Sequence, residues 1–280
     1  MSVNFSRLLP PSGRPAVMGI LNLTPDSFSD GGRLLVGGRP DLHLVADQAQ
    51  EMVAGGVDIF DVGGESTRPG AQLVSPEEEL ARVLPVVSLL KSRFAIPVSV
   101  DTSCPRVIAA TAAEGADMIN DVRALTRPGA LEAAVRSELP VCLMHMRGEP
   151  GEMQQLADYV DVVAEVKTFL RERVAACEQA GISRNRIAID PGFGFAKNLE
   201  HNLALFRALG EFAGQDLPLL VGVSRKRMVG DLLGRAVGER LHGSLALALL
   251  AAQQGARIIR VHDVAATVDV LKTLMAIEGA

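Results

Sequence analysis

Tryptophan is absent, tyrosine occurs once, and aromatic residues make up only 4% of the 280-residue chain. So few rings cannot build a base-stacking platform for single-stranded nucleic acid. Basic charge is also short: 28 Lys and Arg stand against 33 Asp and Glu, a formal net charge of −5. That balance argues against a general nucleic-acid surface and leaves room for a local basic pocket. The three cysteines, Cys104, Cys142 and Cys177, are odd in number and widely spaced, with no CxxC and no Cys/His cluster. They read as small core or surface residues in a reducing compartment.

Long apolar runs are missing as well. The first, residues 16–23, is short and meets Asn and Thr where a signal peptide would carry its cleavage site. The longest helical one, residues 245–252, is far too short for a bilayer. These absences lead to the expectation of a cytoplasmic protein with no membrane partner. No P-loop and no His-Glu-x-x-His helix occurs, and Gly222-Val223-Ser224-Arg225 lacks the closing glycine of a nucleophile elbow. Gly192-Phe193-Gly194 begins like a dinucleotide fingerprint and then lacks the third glycine.

What is present is material for a large core, with 48% hydrophobic residues, 22% charged residues and a mean hydropathy of +0.22. Such a composition specifies a globular chain and not a disordered one. Short apolar or β-branched runs at residues 16–23, 57–62, 97–100, 118–122, 141–144, 186–189, 217–223 and 257–261 read as strands. Between them, amphipathic stretches at 42–54, 76–91, 105–114, 129–137, 158–180, 198–209, 239–254 and 264–277 read as helices. Strand then helix, eight times over, implies parallel strands with helical crossovers and predicts an α/β fold, a (β/α)8 TIM barrel. A doubly wound open sheet is the alternative, because counting repeats does not prove closure. No linker divides the chain, so the expected organisation is an N-terminal arm over 1–15 and one domain over 16–280. The arm would strap the barrel's bottom or hang loose.

The strand ends carry the functional signal. In order they read Asn22, Gly63-Gly64-Glu65, Asp101, Asn120-Asp121, His145, Asp190, Ser224-Arg225 and His262-Asp263. Any one of these has an ordinary explanation as a helix cap or turn residue. All eight together, on the rim where barrel enzymes place their sites, read as one pocket. Asn22, Arg68, Arg260 and His262 come from strands that are neighbours in a closed ring, and guanidinium and imidazole groups beside hydroxyls suit a phosphate or diphosphate. Asp101, Asn120 and Asp190, with Lys226 just beyond strand seven, suit a planar heterocycle bearing an amino group, a ring N–H and a carbonyl. Met144 and Phe195 supply apolar faces for it. Ser224-Arg225-Lys226-Arg227 reads equally as a solvated face or helix start and as part of the site. The connection after the first strand runs to about 18 residues, where a few would do. Such length points to a lid, a ligand clamp or disorder, and Pro25 with the glycines at its far end suits the first, a closing loop over residues 24–32.

At these positions the sequence resembles the dihydropteroate synthase family over essentially all of residues 17–263. The matching blocks are MGILNLTPDSFSDGG (18–32), DVGGESTRPG (61–70), SVDT (99–102), INDV (119–122), LMHM (143–146), DPGFGF (190–195), SRK (224–226) and RVHD (260–263). The resemblance implies a TIM barrel that joins 6-hydroxymethyl-7,8-dihydropterin diphosphate to p-aminobenzoate in folate biosynthesis and releases diphosphate. It also implies Mg2+ at the diphosphate, a homodimer, and competition by sulfonamides. By that resemblance the pterin contacts are Asp101, Asn120, Asp190 and Lys226, to which the apolar faces of Met144 and Phe195 are added, and the diphosphate contacts are Asn22, Arg68, Arg260 and His262, with Thr67 expected beside them. The p-aminobenzoate contacts are Thr67, Pro69, Phe195 and Ser224, Asn22 is the metal ligand, and Asp101, Lys226, Arg260 and His262 act in the chemistry. Ala196 departs from the pattern, since the family usually has glycine there. A pterin-dependent methyltransferase and a catalytically silent paralogue are the rival readings. A stripe of Val268, Val270, Leu271, Leu274 and Ile277 on the last helix suits either a dimer face or barrel packing.

Overall fold

Eight parallel strands occupy the apolar runs: β1 Ala16–Asn22, β2 Ile59–Gly63, β3 Val98–Asp101, β4 Met118–Asp121, β5 Val141–Met144, β6 Ile187–Asp190, β7 Leu220–Val221 and β8 Ile258–Val261. The structure is a computed structural model, and it describes residues 4–25, 32–67, 70–71, 73–149, 151–214 and 216–279. Hydrogen bonding orders the sheet β6-β5-β4-β3-β2-β1-β8-β7. Its two edges meet at a parallel bridge between Ile189 and Leu219, where the Ile189 N–H donates to the Pro218 carbonyl at 3.0 Å. The sheet is therefore a barrel and not the open sheet that the repeat count left possible.

Alternation along each strand explains why the barrel holds. Val17, Phe60, Val62, Val98, Ile119, Leu143, Ile189, Val221 and Ile259 belong to one buried cluster with the surrounding helices. The alternate residues Met18, Ile59, Met118, Cys142, Ala188, Leu220 and Ile258 belong to a second cluster inside the ring, joined by Phe5 and Leu8. Side chains of a strand point to opposite faces at every second residue, so an inner and an outer core follow from period two. Phe5, on a 3-10 turn at Phe5–Arg7, and Leu8 are 3% and 4% exposed and plug the N-terminal end of the ring.

The helices are α1 Leu42–Ala54, α2 Pro76–Arg93, α3 Pro105–Ala113, α4 Ala130–Ser137, α5 Val162–Gln179, α6 Leu199–Arg207, α7 Leu209–Ala213, α8 Arg227–Leu233, α9 Leu241–Gln253 and α10 Val264–Glu278. Several begin at side-chain caps that satisfy the free N–H groups of the first turn. Asp41 accepts from His43 and Leu44, Ser75 from Glu78, Asp161 from Val163 and Ala164, and Asn198 from His201. β1 carries Gly19 because a Cβ there would come within 2.8 Å of Met52 Sδ on α1.

The structure departs from the sequence expectations in a few places. The seventh strand, expected over 217–223, keeps ladder bonds only over Leu220–Val221. The Ser224-Arg225-Lys226-Arg227 segment leads into the short helix α8, so two helices, α8 and α9, follow β7 where one was expected. The long first connection contains a two-residue antiparallel pairing of Leu35–Val36 with Arg39–Pro40; the proposed closing loop falls largely on residues 26–31, outside the described residues. On α10, Val268, Leu271 and Leu274 are buried within the chain, and only Ile277 of that stripe is strongly exposed, at 79%. Barrel packing therefore consumes most of it. No helix among the described residues is long and apolar enough to cross a membrane, and all three cysteines are free and buried.

Candidate active site

Register carries the polar strand ends to one level. Asn22 pairs with Gly63, Gly63 with Asp101, and Asp101 with Asn120. These positions share a face, and residues two steps earlier line the barrel interior, so their side chains converge on the C-terminal mouth. A Cβ on Gly63 would lie 3.7 Å from Asn22 Oδ1 and 3.6 Å from Asp101 Cβ. The bare glycine backbone leaves the floor open between them.

Arg260 occupies the centre. Its Nε donates to Asp61 Oδ2 at 2.6 Å, and Nη2 donates to Asp101 Oδ2 at 3.0 Å. Asn120 Nδ2 donates to the same Asp61 oxygen at 3.3 Å. The guanidinium thus belongs as much to the carboxylate wall as to a separate cationic cluster. The two half-pockets read from the sequence share a boundary at Arg260.

Asp61 is a site residue to which the sequence assigns no role. It is fully buried, and its Oδ1 accepts no hydrogen bond from the described residues. A carboxylate set between Phe60 and Val62 in the interior of β2 is the sequence signal that marks it, since a charge buried within a strand is costly without a partner.

Burial pushes the Asp101 carboxyl up to about 7 against the opposing pull of Arg260, and neighbouring Asp61, Asp121 and Glu65 add to the rise. Burial also raises Asp190, while Lys226 and the Gly192 N–H, at 2.7 Å from Oδ1, oppose it. Burial lowers Lys226 to about 8, with Asp190 resisting. For Arg260 burial works against the charge, and Asp61 and Asp101 outweigh it. Lys226 Nζ donates to the Phe193 carbonyl at 2.6 Å and stands 4.8 Å from the centre of the Phe195 ring. Met144 pairs in register with Asp190 and is buried. Asp101, Asn120, Asp61 and Arg260 are therefore in direct contact, and Lys226, Phe195 and Asp190 form the adjoining wall.

His262 and Ser224 meet on the other flank, Ser224 Oγ lying 3.1 Å from His262 Nδ1 and accepting from the His262 N–H at 3.2 Å. Next to them Arg225 and Asp263 pair at 2.9 Å, Nε to Oδ2, so Asp263 braces β8 against the β7 loop and makes no side-chain cap to α10. Thr67 is half-buried on the loop after β2. Arg68 and Pro69 lie outside the described residues.

The loop carrying Phe195 is fastened from below. Lys197 is 3% exposed, and its Nζ lies 2.9 Å from the Gly192 carbonyl, the Phe195 carbonyl and His145 Nδ1. Burial followed by the charge of Lys197 pushes the His145 ring down to about 2, so it stays neutral. Gly192 adopts φ +72, and a Cβ there would sit 2.0 Å from the His145 carbonyl oxygen, so only glycine fits. Ala196 also has a positive φ, 51°, in the left-handed region where glycine is favoured.

Among the described residues no group of three or more His, Cys, Asp or Glu forms a metal cage. Mg2+ needs none: it keeps several waters and is held by one or two protein oxygens together with substrate phosphates. The amide oxygen of Asn22, beside the bare Gly63 backbone, is a donor of the kind that minimal role takes.

These features define an α/β-barrel enzyme with a buried, carboxylate-rich cluster on its C-terminal rim. Residues 18–262 match the pterin binding enzyme family. The chain is 55% identical over 262 residues to dihydropteroate synthase of Escherichia coli (strain K12), covering 94% of this chain and 91% of that one. Among solved structures it is similar to Yersinia pestis dihydropteroate synthase in a sulfonamide drug complex, at 50% identity and TM-score 0.93 with 97% of each chain covered. It is similar also to Xanthomonas albilineans dihydropteroate synthase in complex with 7,8-dihydropteroate, at 41% identity and TM-score 0.85 with 100% of each chain covered. The chain belongs to the dihydropteroate synthase family of pterin-binding enzymes.

Proposed function

We propose that this chain condenses 6-hydroxymethyl-7,8-dihydropterin diphosphate with p-aminobenzoate to 7,8-dihydropteroate and diphosphate in folate biosynthesis. The observation that carries the reading is the contact set of Arg260 with Asp61 and Asp101, adjoining Asn120. It puts acceptors for a heterocycle's amino and N–H groups next to a cation that also faces the departing anion.

In this reading Asp101, Asn120, Asp190 and Lys226 bind the edge of the pterin, with Met144 and Phe195 against its faces. Asp61 Oδ1 is a further acceptor beneath them. Asn22, Thr67, Arg68, Arg260 and His262 hold the diphosphate, and Thr67, Pro69, Phe195 and Ser224 hold p-aminobenzoate, the position a sulfonamide would contest. The Ser224 contact keeps the His262 ring in place. Mg2+, held by Asn22 and the diphosphate oxygens, would supply charge neutralisation to the leaving group.

The substitution is dissociative. The carbon–oxygen bond breaks first, its electron pair leaving with diphosphate, while Arg260 and His262 stabilise the growing negative charge. The pterin methylene cation delocalises into the ring, where the carboxylates of Asp101 and Asp190 lie against it. The aromatic amine then forms the carbon–nitrogen bond and releases a proton. An aniline nitrogen is already unprotonated at neutral pH, so no strong general base is required. A homodimer and a cytoplasmic location complete the reading, to be measured by light scattering and cell fractionation.

The test is the assay itself: dihydropteroate from the two substrates with Mg2+. Formation of product supports the reading, and pterin binding without turnover would favour the silent paralogue. In Arg260→Ala, diphosphate affinity should fall about tenfold or more, in line with loss of a charge-assisted contact. Unchanged affinity defeats the assignment of Arg260.

A further inference from the structure

The buried ion pair between Arg123 and Glu65 lies outside the reacting groups, yet it sits on the same rim. Arg123 Nη1 donates to Glu65 Oε2 at 2.9 Å and to Ser103 Oγ at 3.1 Å. Its Nε and Nη2 donate to Glu149 Oε2 at 2.9 and 2.7 Å. The two side chains of the central pair are only 3% and 5% exposed. One guanidinium thereby ties together the loops that follow β2, β3, β4 and β5.

The chain makes unusual provisions to present that guanidinium. Asp121 accepts from the Arg123 and Leu125 N–H groups at 2.8 and 2.9 Å. Ala124 and Leu125 are consecutive non-glycine residues at φ 51° and 58°, and Arg173 grips both of their carbonyls, at 2.9 and 3.2 Å. Left-handed backbone is unfavourable for residues with a side chain, and such strain persists where the surroundings over-determine it. On the other side, Arg82 donates to the Gly64 carbonyl at 2.8 Å, so the backbone entering Glu65 is also held.

A buried ion pair is weak evidence for stability, because apolar side chains of similar volume commonly do as well. Its geometry here suggests a different service. Asn120, on the pterin wall, lies three residues before Arg123, and Thr67 lies two residues after Glu65. We propose that Arg123 is a positioning residue which, through Glu65, holds the Thr67 loop at a set distance from the pterin wall and so sets the capture of p-aminobenzoate. This rests on the dihydropteroate synthase reading above. Arg127 Nη2, 3.5 Å from Glu65 Oε1, reinforces the clamp from the edge.

The test measures both substrates separately in Arg123→Gln, Arg123→Lys and Glu65→Gln. Expected are a rise of about tenfold in the KM for p-aminobenzoate in Arg123→Gln and Glu65→Gln, a smaller rise in Arg123→Lys, and a loss of affinity for the dihydropterin diphosphate of no more than about threefold, since of its assigned contacts only Thr67 and Arg68 follow Glu65 closely in the chain. Should the single variants fail to fold, the double variant Arg123→Met with Glu65→Met removes both charges together. The proposal then requires a folded protein that still has the raised KM. An unchanged p-aminobenzoate KM in any folded variant, or equal losses for both substrates, overturns the proposal. A wild-type protein that makes no dihydropteroate would instead overturn the functional reading on which it rests.

Discussion

Arg260 and Asp61 meet at 2.6 Å although 199 residues separate them in the chain. Parallel strands cannot be joined by tight turns, so each step from one strand to the next spends a helix on the way. The contact exists because the ring of β1, β2 and β8 makes the last strand a near neighbour of the second. The same closure brings Arg260 to Asp101. The guanidinium is consequently held by two carboxylates and is oriented before any ligand arrives.

Removing the Asp61 carboxylate leaves Asp101 to carry the guanidinium. Asp61→Ala should cost about 3 kcal/mol of unfolding free energy, as breaking a buried pair does, and urea denaturation measures it. Asp61→Asn preserves the shape and should recover most of that stability while weakening pterin affinity about tenfold. Wild-type affinity in a folded Asp61→Asn protein would reduce Asp61 to a packing role.

Glu79 gives the protein a pH dependence of defined sign. It is 2% exposed, and burial raises it from 4.5 to about 7, against a hydrogen bond from the Thr102 hydroxyl and with the charge of Glu65 adding to the rise. The folded protein therefore holds a proton that the unfolded chain has released. That contribution is complete below pH 4.5 and is lost as pH rises to about 7. Glu79→Gln stays neutral throughout. Relative to the wild type it should gain about 3 kcal/mol across that window, as read by urea unfolding at the two ends. A constant difference would show that Glu79 ionises normally.

Asn22→Ala removes the one protein oxygen assigned to Mg2+. The Mg2+ concentration for half-maximal activity should rise about tenfold, and the saturated rate should recover largely, because the remaining ligands come from diphosphate and water. Calorimetry of Mg2+ and diphosphate together checks it without turnover. A requirement for Mg2+ equal to that of the wild type would remove Asn22 from the metal site.

Ala196 is fully buried at a φ of 51°, which sets two effects against each other. Glycine would relieve the left-handed strain but leave a methyl-sized gap and a looser unfolded chain, so Ala196→Gly should change stability by less than about 1 kcal/mol. A β-branched residue suffers both from the conformation and from the lack of space, so Ala196→Val should cost about 2 kcal/mol or more. Thermal melts of the pair decide it. A stable valine variant would mean that the backbone there relaxes freely.

The strand-and-helix alternation and the polar residues at the strand ends were legible in the sequence because periodicity and composition are local. Short range also accounts for the misses. β7 keeps only two ladder residues because its other pairing is a single bridge across the seam at Leu219, and α8 is too short to show a clear period. The stripe on α10 was ambiguous because an apolar face looks alike whether it meets the barrel or a second chain.

By itself the sequence determined eight parallel units, an apolar interior, and a set of carboxylate, amide and guanidinium groups assigned to one rim. Only the tertiary structure decided which of them touch: Arg260 on Asp61 and Asp101, Ser224 on His262, and Arg123 on Glu65 and Glu149. The physical reason is range. Helices, strands and caps follow from neighbours a few residues apart, whereas a hydrogen bond between distant strands depends on ring closure and register, which no local pattern encodes.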